Sequence, residues 1–224
     1  GQGWYQFSLL AKPAPDEVII VMDFTAIDFV VHHFNDMIVS IYDKKFSTYH
    51  HFIGGLKEKN TLPFVCHVFE TFIVPFAQRF SKVHLWSDGG PKHFKISSML
   101  AYLNDLVRQK KITNIIYNFF VSYHGHSVCD AAASQIKRSI YEELNVKKHV
   151  PMCPSELFSA VTNVDKHSAY EVKNVNQDIP QYKTLQGIRS YHKFEFDGYS
   201  IFASKKSESL HHDHIFVPEI VNDI

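Results

Sequence analysis

Cysteine is scarce: 224 residues contain three, Cys66, Cys129 and Cys153. An odd and small number builds no disulfide framework and suits a reducing compartment. Glycine and proline are also few, nine of each, which excludes a collagen-like or low-complexity chain. Neither sign of charge is in excess, because 23 Lys and Arg face 23 Asp and Glu. Without a global basic field, any affinity for nucleic acid must come from a local patch. No apolar run approaches the roughly 18 residues of a membrane span. The start, Gly1-Gln2-Gly3-Trp4-Tyr5-Gln6, lacks the basic-then-apolar pattern of a signal peptide and has no initiator Met. We therefore expect a chain processed or excised from something longer, with no membrane partner.

What is abundant is hydrophobic and aromatic. The hydrophobic fraction is 45%, with 19 Phe and 11 Tyr, so an aromatic-rich interior is expected rather than disorder. Fifteen His residues make metal or polyanion contacts worth seeking. The length leaves room for one good-sized core with appendages.

Residues 1–16 end in Lys12-Pro13-Ala14-Pro15-Asp16 and read as a rigid lead-in. Val18 to Phe24 reads as a buried strand with Asp23 near its end. Residues 28–42 are β-branched and aromatic, and predict a hairpin turning at Asn35-Asp36. Residues 46–53 form another strand, closed by Gly54-Gly55. Thr61 is placed to cap a helix with Pro63 in its first turn, running to about Phe80 and bent at Pro75. Val83 to Asp88 is a short strand ending in an acid. Residues 93–110 are helical, Asn114 to Val121 a buried strand, and 127–145 a long helix. After Pro151 the pattern weakens to a short helix near 154–163, a polar stretch, and a hairpin at 190–204 turning at Asp197-Gly198.

Three strands in succession followed by alternating helices and strands predict an α/β fold. A ribonuclease H-like core has this order, and other mixed α/β folds share parts of it; the expected centre is a ribonuclease H-like mixed five-stranded sheet flanked by helices, over residues 17–148. Residues 149–224 form a C-terminal helix and hairpin extension packed on that core.

Asp23 and Asp88 stand at strand ends, and Asp130 lies in the helix after the fifth strand. The separations, 65 residues and then 42, leave room first for a meander with a crossover helix, then for one helix and one strand. If the two strands are neighbours, the carboxylates meet at one sheet edge. Three gathered carboxylates can hold two divalent ions about 3.5–4 Å apart, a clamp for the attacking and leaving oxygens of a phosphodiester. Hard oxygen ligands select Mg²⁺ or Mn²⁺.

Ser87-Asp88-Gly89-Gly90-Pro91-Lys92-His93-Phe94-Lys95 resembles the SDG-x-x-x-Q-F-K block of eukaryotic cut-and-paste transposases with a DDE/D catalytic core. Phe119 to Asp130 is similar to their F-F-x-x-x-H-G-K-x-x-x-D block and continues through small residues to Lys137-Arg138. Met22-Asp23-Phe24 is similar to the D-F carrying the first acid. The likeness covers roughly residues 18–145 and points to Mutator-like and related superfamilies, or to host proteins domesticated from them. It implies metal-dependent cleavage and strand transfer on DNA, transposon ends and target as partners, and a nuclear location. A homodimer is compatible with it. The sequence-specific DNA-binding domain would lie outside this chain or be supplied in trans. Departures are His93 for Gln, His126 for Lys, and Ala131, Ala133 and Ser134 for glycines. These leave a non-catalytic domesticated derivative, or a plain ribonuclease H-like nuclease, as alternatives.

The residues themselves extend this reading. Small side chains at 131–134 let the helix approach the sheet and bring Asp130 to the other acids. Lys137, seven residues on, shares nearly the same helical face and is placed to hold a phosphate, with Arg138 beside it. Lys92 and Lys95 are phosphate-contact candidates. His124 and His126 follow the strand exit as further DNA contacts. A zinc site from His124, His126, Cys129, His149 and Cys153 has no familiar spacing. The tail histidines His211, His212 and His214 read as a solvated loop. Cys129 beside Asp130 invites a nucleophile reading, but no Cys–His order supports it.

Overall fold

The computed structural model describes residues 13–43, 47–90, 93–120, 127–175 and 178–221. In chain order its elements are β1 (Glu17–Asp28), β2 (His33–Tyr42), β3 (Ser47–Gly54), α1 (Leu62–Val68), a π turn (Phe69–Ile73), α2 (Val74–Ala77), β4 (Lys82–Ser87), α3 (Ser97–Arg108), β5 (Ile115–Phe119) and α4 (Val128–Lys147). A 3-10 turn (Pro154–Leu157) then leads into α5 (Phe158–Thr162), followed by β6 (His167–Val172), a second 3-10 turn (Ile188–Ser190), β7 (Lys193–Phe196), β8 (Ile201–Ser204) and β9 (His214–Phe216). The fold is mixed α/β, with both parallel and antiparallel strand pairs. Three successive strands, then helix, strand, helix, strand, helix, is the element order that the ribonuclease H-like expectation calls for. The chain divides into two compact units, one holding residues 20–60 and 125–176, the other residues 13–19, 61–124 and 177–224.

In the first unit the strands run in the order β6-β3-β2-β1. Val18 to Met22 are fully buried, as a continuous apolar run requires. The turn after β1 lies at residues 29–32, where the Phe29 amide donates to the His32 carbonyl at 2.8 Å. So short a connection allows only an antiparallel pair. The expected turn at Asn35-Asp36 is therefore displaced, and both residues lie inside β2. Such residues mark turns when their side chains bond locally. Here Asn35 Nδ2 donates to the Glu58 carbonyl and Asp36 pairs with His51, both distant in sequence. The core joins Ile27, Phe34 and Ile53 of the strands to Ile136 and Ile140 of α4 and to Leu157, Ala160 and Val161. Ile136 and Ile140 are one helical turn apart, so one face of α4 is committed to this core.

In the second unit the order is β4-β5-β7-β8-β9. β4 and β5 are parallel, and the following pairs are antiparallel. The helix over residues 62–77 widens into a π turn instead of breaking, its Val74 amide reaching the Phe69 carbonyl five residues back. Pro75 has no N–H and would crowd the carbonyl four residues earlier, which the wider turn relieves. Thr61 occupies the cap position without a side-chain capping bond. The hairpin turning at Asp197-Gly198 is present as β7 and β8.

Two strands lie where polar segments masked them. β6 falls in the polar stretch after residue 163, and β9 in the tail expected to be a loop. β6 joins β3 and β9 joins β8 through backbone ladders, with ring stacking beside each. Phe52 stacks on Tyr170 at 4.7 Å, and Tyr191 stacks on His214 at 6.0 Å.

Gly198 is held at φ +93°, and a Cβ there would lie 2.8 Å from Arg108 Cα. The buried Asn104 of α3 also accepts the Gly198 amide at 3.0 Å. Gly198→Ala is expected to cost about 2–3 kcal/mol, from a left-handed backbone plus a clash with backbone that cannot yield. A urea midpoint unchanged from wild type would show that the turn relaxes.

Candidate active site

β1 places its odd-numbered residues on the face that meets α4, because Ile27 packs with Ile136 and Ile140. Thr25 shares that face, and its hydroxyl accepts from Lys137 Nζ at 2.8 Å. Moving back along β1 from Ile27 through Thr25 to Asp23 follows α4 back toward its first turn. There Cys129 is buried against both neighbouring strands, with Sγ 3.6 Å from the Val21 carbonyl and 3.5 Å from Ser40 Oγ. Ala132 and Ala133 are buried beside it, so the small residues do permit the close approach that the sequence implies. Burial pushes the Cys129 thiol up, and the charges of Asp23, Asp130 and Asp36 push it further, against the Ser40 hydrogen bond. A thiol so disfavoured as thiolate is a packing group rather than a nucleophile.

Asp130 is the third residue of α4 and closes a capping box. Its Oδ2 accepts from the Ser127 amide at 2.6 Å, and Ser127 Oγ accepts from the Asp130 amide. Its exposed carboxylate stands where the helix dipole favours negative charge. Asp23 lies in mid-strand rather than at the strand end, because β1 continues to Asp28 by packing Ile27 on α4. Its Oδ1 accepts from the Phe24 amide at 2.8 Å.

Asp88, in the second unit, follows the last residue of β4 and is exposed. Among the described residues no hydrogen bond or ion pair holds its carboxylate. A Cβ on Gly90 would lie 2.9 Å from Asp88 Oδ2, so the glycine keeps room for the acid. Below it Ser87 Oγ and Tyr117 OH share a buried hydrogen bond of 2.8 Å. Among the described residues, no group of three or more His, Cys, Asp and Glu is gathered to hold a metal ion. Of the zinc candidates, Cys129 is committed to the core and His149 is paired with Glu156, while His124 and His126 lie outside the described residues.

The basic candidates divide. Lys137 is tied to Thr25 beside the Asp23 face, whereas Arg138 is exposed and paired with Glu142 one turn on. Lys95 departs from the expected surface strip. It is 5% exposed, donates to the Arg189 carbonyl at 3.1 Å and stands 5.0 Å above the Phe119 ring. Its long apolar stem favours this packing, and burial lowers its pKa to about 8. Lys92, His124 and His126 lie outside the described residues.

Sequence reasoning missed a buried polar chain in the first unit. Asp36 Oδ2 meets His51 Nδ1 at 2.7 Å, His51 Nε2 meets His167 Nδ1 at 2.9 Å, and His167 Nε2 meets Gln135 of α4 at 3.0 Å. Asp36 Oδ1 is buried without a hydrogen-bond partner among the described residues. The signal available was the pair His50-His51 directly before the apolar Phe52-Ile53 of β3.

Residues 58–207 match the family described as "Domain of unknown function (DUF8701)". The chain belongs to this family. The DUF8701 match includes Asp88 and Asp130 and begins after Asp23. No curated protein is matched by the sequence. Among solved structures, the chain is similar to a chain of the simian T-cell lymphotropic virus intasome in complex with PP2A regulatory subunit B56 gamma. That likeness has 13% identity and a TM-score of 0.47, over 75% of this chain and 62% of the other. This chain thus spans less than two thirds of that one. It is also similar to the HTLV-2 integrase catalytic core domain in complex with magnesium, in a trimeric form. Here identity is 14% and the TM-score 0.41, over 69% of this chain and 93% of the other.

Proposed function

We propose that this chain is the catalytic core of a DDE/D-type DNA transposase or recombinase, which cleaves phosphodiesters with divalent metal and transfers strands. The observation that supports the proposal is that Cys129 in the first turn of α4 packs with its Sγ 3.6 Å from the Val21 carbonyl, so the helix start that carries Asp130 lies against the strand that carries Asp23. Asp88 adds a carboxylate with no other partner among the described residues, at the end of a parallel strand. The donor set, carboxylate oxygens alone, suits Mg²⁺ or Mn²⁺. Asp23, Asp88 and Asp130 are the residues that would hold such ions, which would supply Lewis acidity and lower the pKa of an attacking water. Lys137, fixed by Thr25 on the Asp23 face, would orient a DNA phosphate. The placement among Mutator-like superfamilies, DNA ends and target as partners, a nuclear location, a homodimer and a DNA-binding domain held elsewhere all rest on the motif resemblance.

One observation favours the non-catalytic reading: Asp130 already serves its own helix as a cap. The two readings part in a nicking assay on labelled DNA carrying candidate element ends, with Mg²⁺, Mn²⁺ or EDTA. The expected result is nicking that requires metal. Absence of nicking in Mn²⁺ by folded protein sinks the catalytic proposal and leaves the domesticated one.

DNA contact is tested separately by salt dependence. Each phosphate contact contributes about −0.9 to the log–log slope on duplex DNA. Replacing Lys137 and Arg138 together by Ala is expected to flatten the slope by roughly one to two, with all sequences weakened alike. A larger effect from Lys205→Ala with Lys206→Ala would place the DNA across the C-terminal hairpin instead.

A further inference from the structure

The second unit contains a cleft of about 530 Å³ between the start of α3 and the segment 182–189. Its lining includes Lys95, Ser98, Tyr182, Gln186 and Arg189, and no acidic residue. Two cations, one from each side, therefore line a cleft without a carboxylate. Lys95 is the more telling of them. An ammonium carries three N–H donors, and among the described residues Lys95 spends one, on the Arg189 carbonyl, while its charge rests on the Phe119 ring. It forms no ion pair among the described residues, although burying a charge is costly unless it is paired. Burial and, after it, the nearby Lys95 charge also lower the pKa of His192. Arg189 is exposed and likewise has no ion pair among the described residues. The cleft lies within the roughly 300–1,000 Å³ of small-molecule sites, more than a bare inorganic ion needs. Ser98 and Gln186 add hydrogen-bonding groups, and Tyr182 an aromatic ring.

We propose that this cleft binds one nucleotide, with Lys95 and Arg189 holding its phosphate. The phosphate supplies the counter-charge that the buried ammonium lacks, and the remaining volume takes sugar and base. The same chemistry is offered by a free nucleoside phosphate and by one nucleotide of a DNA strand. The site does not depend on the three acids, and it makes no use of metal.

The experiment is calorimetric titration of the full chain in EDTA with three probes: inorganic phosphate, adenosine monophosphate, and a 5′-phosphorylated single-stranded decanucleotide. Binding of the mononucleotide at least tenfold tighter than phosphate identifies a free nucleotide as the source. Binding of the oligonucleotide alone identifies a strand. In either case Lys95→Met is expected to weaken binding at least tenfold, and Arg189→Gln, at an exposed position, several-fold. Lys95 carries a second readout that a merely structural lysine would not give. Its titration, followed by NMR on methylated lysines, should rise from about 8 toward its ordinary 10.5 when the probe is bound. No binding by any probe overturns the proposal. So does binding that Lys95→Met and Arg189→Gln leave unchanged. Because EDTA silences a metal site, failure here is separable from failure of the nicking assay.

Discussion

Asp88→Asn is expected to lower metal-dependent nicking by more than about a hundredfold while leaving the folded protein nearly as stable as wild type. The magnitude follows from metal chemistry: losing a residue that merely orients a ligand costs about 10–100-fold, and losing the ligand itself costs more. The small stability effect follows from the structure. The Asp88 side chain is exposed, and no hydrogen bond or ion pair holds it among the described residues. The space that Gly90 leaves beside it is also enough for an amide of the same shape. Asp130→Asn should behave differently. It removes the same kind of ligand, but also weakens the capping box with Ser127 and a favourable charge at the start of α4. About 1 kcal/mol of stability should go with it. Nicking rates of both variants, set beside their urea midpoints, make the test. Full activity in Asp88→Asn would remove this acid from the site.

The second large effect concerns acid. His167 is buried, and that burial, with the charges of His51 and His50, pulls its pKa from 6.5 to about 4 against the opposing pull of Asp165. Its folded-state value lies below its unfolded one, so as pH falls the unfolded chain takes up the proton first. Stability is therefore fully present above pH 6.5 and is lost as pH falls toward 4. For His167 alone that loss is roughly 3 kcal/mol. A second proton would also turn the Nδ1 that meets His51 into a donor and place a charge among Tyr49, His51 and Gln135. His50 is lowered to about 4 by burial and by His51, and it pairs with Tyr170, also on β6. The β3–β6 pair is thus the first expected to open. Urea unfolding at pH 7, 5.5 and 4.5 should give falling midpoints, with a shallower fall in His167→Gln. Equal midpoints at the three pH values would show that the chain absorbs the proton without cost.

Much of the architecture is legible without coordinates. The apolar run of Val18 to Met22, the phased residues of the long helix to Lys147, and the Asp197-Gly198 hairpin all identify themselves. Each is decided by its own neighbours through burial periodicity or a glycine's positive φ. The order of elements follows, and with it the α/β class. Asp88 after a strand and Asp130 at a helix start are legible for the same local reason.

Other features required tertiary structure. Asp36 reads as a turn residue until His51 stands 2.7 Å away, and β6 reads as loop until His167 meets His51 from 116 positions along the chain. Lys95 reads as a surface cation until the Phe119 ring and the Arg189 carbonyl cover it. Apolar burial repeats with the period of the element and so marks the sequence. Polar burial depends on one partner brought from far away and leaves no period. Sequence alone therefore determined the order of elements as far as the long helix and the candidate acids, and the tertiary structure decided which polar groups are inside and with them the strands β6 and β9.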